Sequence, residues 1–316
     1  EISFTGEDGI STWSATANNS DDNLFLVKIS NQGEILWGFH TSGNDDVSGR
    51  KLAVDSEGNV YLAAYYYESV LLEGYTFNDK RGAFIAKFNA SGDIQWLMNI
   101  NELCLITGLV LDHEEENLFI CGRAKENCDF GGYVYENPDP YFSRLFYGKM
   151  TTEGETSWIK HGRAGKLSAD LEYHSPLAMD IDEYNNIYLT GYMRGSKLIF
   201  SDIELKPDNY AELNHIIFVA AFDEDGEVLW ADKAADNPPG EEDNGNDEAT
   251  SIALDDLGNI YIAGSIRNGA DFGDGAITGF GDNDAFIARV YGGKITGLQE
   301  EEKNDGYSFI TYEYEK

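Results

Sequence analysis

Apolar and polar residues alternate along most of this chain in short runs, and the runs come in pairs joined by polar turns. Leu52–Ala64 shows the pattern: LAVDSEGNVYLAA sets two apolar runs around Asp55-Ser56-Glu57-Gly58-Asn59. A period of two over segments this short predicts β-strands, not amphipathic helices. Asp at the head of the turn accepts backbone N–H groups and Gly58 supplies a positive φ, so the stretch reads as a β-hairpin. The same pattern returns at 109–122 (LVLDHEEENLFICG), 179–191 (MDIDEYNNIYLTG) and 252–264 (IALDDLGNIYIAG).

A second repeated hairpin alternates with the first. It reads LFLVKISNQGEILW at 24–37, AFIAKFNASGDIQW at 83–96, LFYGKMTTEGETSW at 145–158 and IFVAAFDEDGEVLW at 217–230; AFIARVYGGKI at 285–295 lacks the final Trp. Trp37, Trp96, Trp158 and Trp230 are 59, 62 and 72 residues apart. That period is too long for a solenoid coil and fits four strands per unit, the signature of propeller blades. The expected fold is therefore all-β, a propeller of five four-stranded blades; a sixth would need sequence beyond this chain. Ile2–Gly6 lines up with Ile187–Gly191, so the chain is expected to start at the second strand of blade one, and blade five to end early near Ile295. A ring recurring once per blade serves packing between blades, with a sugar-stacking platform as the alternative. We expect these tryptophans to be largely buried.

The combined motif, D-x-x-G-N-[IV]-Y-[LI]-[AT]-G followed by A-F-I-A-[KR] and x-G-[ED]-[IV]-x-W, resembles the bacterial SBBP-type β-propeller repeat. Asp129-Phe130-Gly131 and Asp271-Phe272-Gly273 are similar to features of copies in secreted Bacteroidetes proteins. The second copy departs from the pattern, with Glu114-Glu115-Glu116 where Gly is expected. The resemblance covers about residues 2–296 and implies an exported propeller at the cell surface or outside the cell. It implies no reaction and no catalytic residues. Thr296-Gly297-Leu298-Gln299-Glu300 and the charged run after it resemble the linker before a type IX secretion sorting domain, although Tyr312-Glu313-Tyr314 stands where such a domain usually continues. The chain thus divides into a propeller over 1–296 and, over 297–316, a charged linker with a C-terminal strand or tail. Residues 307–314 serve either as a strand that closes the propeller or as the stub of that sorting domain.

Charge narrows the partners. With 22 basic and 57 acidic residues the net charge is −35, which repels nucleic acid and anionic lipid. No apolar run reaches the ~18 residues of a membrane-spanning helix. Cys104, Cys121 and Cys128 are too few for a disulfide framework; a Cys121–Cys128 pair is possible across one loop, and idle buried thiols are the simpler reading. The chain opens at Glu1 in what reads as mid-strand, which implies a processed N-terminal segment.

Both tight turns of each repeat fall on one face, so the longer connections fall on the other, and binding residues concentrate on such connections. The candidate ligand residues there are Tyr67, Tyr141, Tyr173, His174 and Tyr210, where phenol rings beside polar groups suit a glycan or a protein ligand. The alternative is that these tyrosines pack the connections onto the disc. The acidic run at 241–248 offers Asp243, Asp247 and Glu248 as oxygen ligands for Ca²⁺, the one cofactor the sequence allows for. No nucleophile elbow, His-Glu-x-x-His or phosphate loop is present. The expected function is a non-enzymatic extracellular binding or surface-interaction module. The alternative is a glycosidase with channel carboxylates.

Overall fold

The computed structural model describes residues 2–297 other than 8, 10, 17–21, 44–45, 73, 78–80, 102, 138–142, 166–172, 208–213, 235–245, 268, 273–275, 279–282 and 292–293. The described residues form strands and turns only, and none of them belongs to a helix long and apolar enough to cross a membrane. Four four-stranded antiparallel sheets follow one another, and in each the spatial order of strands repeats the chain order. Sheet one holds Val47–Val54, Val60–Tyr67, Arg81–Phe88 and Ile94–Asn101. Sheet two holds Cys104–Leu111, Asn117–Ala124, Arg144–Thr151 and Thr156–His161. Sheet three holds Tyr173–Ile181, Ile187–Arg194, Ile216–Phe222 and Val228–Ala234. Sheet four holds Glu248–Leu254, Ile260–Ile266, Asp284–Tyr291 and Lys294–Gly297. A pair, Phe25–Ile29 with Ile35–His40, precedes them and corresponds to the third and fourth strands of a repeat. The third strand of sheet three, IIFVAAF, is buried at every position, which is why its apolar run is continuous, not alternating.

The Asp-headed turns close on themselves. Asp55 Oδ1 accepts the Asn59 N–H at 2.8 Å, and Oδ2 accepts from Asn59 Nδ2 at 2.7 Å and the Tyr61 hydroxyl at 3.2 Å. Asp182 does the same with Asn186 and Tyr188. In the divergent copy Glu115 itself takes the positive φ, 59°, and its carboxylate accepts from the Ser56 N–H and hydroxyl of the preceding turn. A cost of about 1 kcal/mol or more for a non-Gly left-handed residue is thus offset by contact between repeats.

Each motif tryptophan is the third residue of its fourth strand. All four are largely though not fully buried, as expected, on a strand that is the outer edge of its sheet. Trp37 Nε1 donates to the Ala90 carbonyl at 3.0 Å, and Trp96 Nε1 to that of Thr152 at 2.9 Å, in each case within the matching turn of the next repeat. A Cβ on the turn glycine Gly92 would come within 2.8 Å of the Trp37 ring. These two rings join one repeat to the next, which supports packing over a sugar platform.

Three expectations are corrected. Ile2–Thr5 is not the second strand of a repeat; it pairs with Thr12–Ala15 in a sheet of its own. Small hairpins of this kind stand between the second and third strands of all four sheets: Val70–Leu72 with Tyr75–Phe77, Cys128–Phe130 with Tyr133–Tyr135, Leu198–Phe200 with Ile203–Leu205, and Gly269–Asp271 with Ala276–Thr278. Ile2–Ala15 takes that place ahead of Phe25, since a short alternating segment fits either position. The connections read as irregular therefore contain ordered β-structure. Second, the last repeat does not end early. Lys294–Gly297 is its fourth strand, with Thr296 opposite Arg289 where Trp96 stands opposite Lys87. Third, Cys121 and Cys128 form no disulfide; all three cysteines are buried thiols, Cys104 lies beside Cys128, and burial pushes the Cys104 thiol well up, the neighbouring Cys128 adding to it.

The chain packs as two compact units. The first comprises Glu1–Leu118, Ala124–Pro138 and Lys149–Trp158; the second Phe119–Arg123, Asp139–Gly148 and Ile159–Lys316. The first has a core around Leu62, Tyr66, Phe84 and Phe88, and the second one around Ile217, Val219, Ile262 and Phe286.

Candidate functional site

Antiparallel register puts both tight turns of sheet three at one end, with Ile181 opposite Ile187 and Phe222 close to Val228. The opposite end carries the entry to the first strand and the exit from the second. There the first strand is bulged between Pro176 and Ala178, opposite Gly191, and in sheet four between Ala249 and Ser251, opposite Gly264. A bulge bends its strand and re-aims the side chains beyond it. Glycine is needed opposite it: a Cβ on Gly191 would strike the Ser175 carbonyl oxygen and lie 2.9 Å from both Leu177 N and Pro176 Cα. Beyond the bulges stand Tyr173, His174 and Ser175 in sheet three and Glu248 in sheet four.

Tyr173 lies opposite Arg194 and Ser175 opposite Tyr192. Facing pairs share a side of the sheet, so these four side chains lie together and His174 points to the other side. Arg123 places its guanidinium carbon 4.8 Å from the centre of the Tyr173 ring. Tyr173 stacks on Tyr192 with centroids 5.7 Å apart, and Tyr192 on His215 at 3.9 Å and 4°. His215 Nδ1 is 2.8 Å from Glu248 Oε1. All of these residues belong to the second unit. They form one row: guanidinium, phenol, phenol, imidazole, carboxylate.

Burial pushes the Tyr192 hydroxyl up to about 12; Arg123 opposes this, Glu248 adds to it, and the Ser175 hydroxyl and Arg194 oppose it. Tyr192 is therefore a neutral donor at physiological pH. His174 is fully buried, and neither ring nitrogen makes a hydrogen bond. Burial pushes its pKa down to about 3, the Arg144 guanidinium pushes the same way, and the Lys197 backbone, short of hydrogen-bond geometry, pulls it up. His161 is likewise lowered by burial and by Arg144 and Arg163.

Of the residues expected to bind ligand, Tyr173 and His174 meet at this end, on opposite sides of the sheet. Tyr67 ends the second strand of sheet one in the first unit, 38% exposed, with the Arg81 guanidinium carbon 5.2 Å from its ring centre and Tyr65 edge-on at 5.0 Å. Tyr141, Tyr210 and the calcium candidate Asp243 lie outside the described residues. Asp247 is buried and its Oδ1 accepts the Arg267 N–H at 2.7 Å, while Glu248 faces His215. Among the described residues no three His, Cys, Asp or Glu side chains are grouped so as to hold a metal ion. Arg123, Tyr192, Arg194 and His215 were not singled out from the sequence. One signal was available: Arg194 and Arg267 each stand three residues after the repeat glycine, Gly191 or Gly264, where sheet one has Tyr67 after Ala64.

Residues 242–273 match the family model of the SBBP β-propeller repeat. The chain is also similar to an uncharacterized WD repeat-containing protein, L264, of Acanthamoeba polyphaga mimivirus, 23% identical over 236 residues that make up 64% of this chain and 17% of that protein. It thus spans under a fifth of the length of that curated relative. Among solved structures it is similar to a protein of unknown function from Bacteroides caccae, with a TM-score of 0.34 and 10% identity over 77% of this chain and 82% of that one.

Proposed function

We propose that residues 1–296 form a five-bladed β-propeller that acts outside the cell as a non-enzymatic binding or surface-interaction module, with a glycan or protein ligand received at the long-connection end. Five copies of the Gly-turn hairpin and the repeat match at 242–273 support the blade reading. The resemblance to exported repeats supports the location, with 297–316 as linker and tail. The observation that carries the binding reading is the row from Arg123 through Tyr173, Tyr192 and His215 to Glu248. Its members come from sheets two, three and four and converge at one end. At the other end the turn carboxylates are consumed by their own backbone and side chains.

Arrays of glycans and of cell-surface proteins, probed with the wild type and Tyr173→Ala, test the reading. Wild type should bind a defined subset that the variant loses. Equal binding by both proteins would move the site elsewhere, and turnover of chromogenic glycosides would replace the binding module with a glycosidase.

A further inference from the structure

Acidic residues outnumber basic ones 57 to 22, so a cation here has carboxylates on every side. Lysines follow that arithmetic: Lys87 meets Glu153 and Lys160 meets Glu227 at 2.8 and 2.7 Å, and Lys197 pairs with Glu204. Arginines do not. Of the eight in the chain, Arg123, Arg144, Arg163, Arg194 and Arg267 all fall at the long-connection end of their strands, within the second unit. Among the described residues Arg123 and Arg194 have no carboxylate partner, and Arg194 Nε is buried without an acceptor. Arg123 lies over the Tyr173 ring and Arg194 stands opposite Tyr173 across the strand pair, so both neighbour one residue. Of the described carboxylates at this end, Glu248 faces His215 and Asp247 Oδ1 accepts the Arg267 N–H.

Building on the binding reading above, we infer that Arg123 and Arg194 receive the carboxylate of an acidic saccharide, one carrying a single uronic or sialic acid group. A guanidinium presents parallel donors that match a carboxylate, and stacking on Tyr173 holds Arg123 in place in advance. The net charge of −35 opposes a polyanion at long range, whereas the two arginines act within the ~8 Å over which physiological salt leaves fields unscreened. That combination selects one negative group on an otherwise neutral body. The hydroxyl of the partly exposed Tyr173 beside the arginines suits a sugar hydroxyl, whereas Tyr192 and Ser175 are buried. The tyrosine ring faces are occupied by the stack, so recognition runs through polar edges and not through ring stacking.

Calorimetric titration of the full chain with methyl glucuronide, methyl glucoside, N-acetylneuraminate and a Glu-containing peptide tests this. The glucuronide or the neuraminate should bind about tenfold tighter than the neutral glucoside. Arg123→Gln and Arg194→Gln, checked for unchanged melting temperature, should each cut that preference to about twofold or less. Equal affinity for acidic and neutral sugars in the wild type would overturn the charge reading and leave the binding module standing. A preference that survives in both variants would overturn the assignment to these arginines, and tighter binding of the peptide would replace saccharide by acidic peptide. Absence of any binding up to about 10 mM would sink the inference alone, since the arrays test the module independently.

Discussion

Gly191→Ala probes the joint between the repeat and the candidate site. Gly191 does not need a left-handed conformation, so the whole penalty is steric. The added methyl meets three backbone atoms, Ser175 O, Leu177 N and Pro176 Cα, the last two at 2.9 Å, and none is the end of a flexible side chain. The bulged strand has to move by a large fraction of an ångström. Overpacking of this kind costs about 1–3 kcal/mol, and the stiffer unfolded chain returns about 0.4–1 kcal/mol. The expected net loss is about 1–2 kcal/mol, a fall of roughly 2–6 °C in melting temperature for a chain of this size. Circular dichroism melts of Gly191→Ala and of Gly132→Ala separate the causes. Gly132 has φ 98° and nothing within 4 Å of an added Cβ, so it reports backbone strain without a clash. Because the bulge aims Tyr173 and Ser175, Gly191→Ala should also weaken ligand binding, and Gly132→Ala should not. An unchanged or raised melting temperature for Gly191→Ala would refute the reasoning. It would mean that this bulge accommodates a Cβ opposite it, as the equivalent one opposite Ala64 in sheet one does.

The same geometry fixes three other outcomes. His174 is neutral in the fold with a pKa near 3 and protonates at its ordinary value when unfolded, so its contribution is complete above about pH 6.5 and is lost as pH falls toward 3; urea melts should show about 2 kcal/mol lost between pH 7 and pH 5, and His174→Asn should flatten that slope, an identical slope in both proteins counting against it. Trp96→Ala should cost about 2–3 kcal/mol, below the ~3–5 of a fully buried ring because part of it stays in contact with solvent, and a loss under about 1 kcal/mol would show that the bond to Thr152 and the packing on the next turn contribute little. Melts in calcium and in EDTA should agree within about 1 °C, since Asp247 and Glu248 already have partners; a calcium-dependent rise of several degrees would place a cation on the 241–248 loop.

Most of the sheet structure was legible because it rests on short-range signals. Asp55, Gly58 and Asn59 specify their turn without help from distant residues, and the alternation beside them specifies the strands. Ile2–Thr5 misled for the same reason, since four alternating residues do not say which partner they will find. The tryptophans were placed correctly because sequence period fixes their strand position, and all four are largely buried there. Tyr173 and His174 could be placed at the right end from strand direction alone. That they face opposite sides, one into a stack and one into a buried pocket beside Arg144, depends on the bulge at Pro176–Ala178 and on neighbouring sheets. Arg123 and His215 reach the row from other strands, and no local pattern links them.

The two ends of each sheet answer to different constraints. At the tight-turn end, Asp, Asn, Tyr and Trp of one repeat satisfy one another or the next turn: Asp55 holds Asn59 and Tyr61, Tyr61 packs on Trp96, and Trp96 bonds Thr152. A substitution there breaks a contact that the architecture uses, which holds the motif constant from repeat to repeat. At the other end the motif stops at the repeat glycine, or at Ala64 in sheet one, and the next three residues differ in every copy: Tyr65-Tyr66-Tyr67, Arg123-Ala124-Lys125, Tyr192-Met193-Arg194, Ser265-Ile266-Arg267. These positions share backbone geometry but only in part chemistry, Tyr65 with Tyr192 and Arg194 with Arg267, so each can be chosen for what it contacts. A residue within the motif is therefore explained by the repeat, whereas one just beyond the glycine needs a local reason. For Arg123 and Arg194, two cations without a carboxylate partner among the described residues of a chain of net charge −35, the Tyr173 ring accounts for the position of Arg123 but not for either charge, and the acidic saccharide inferred above would account for both.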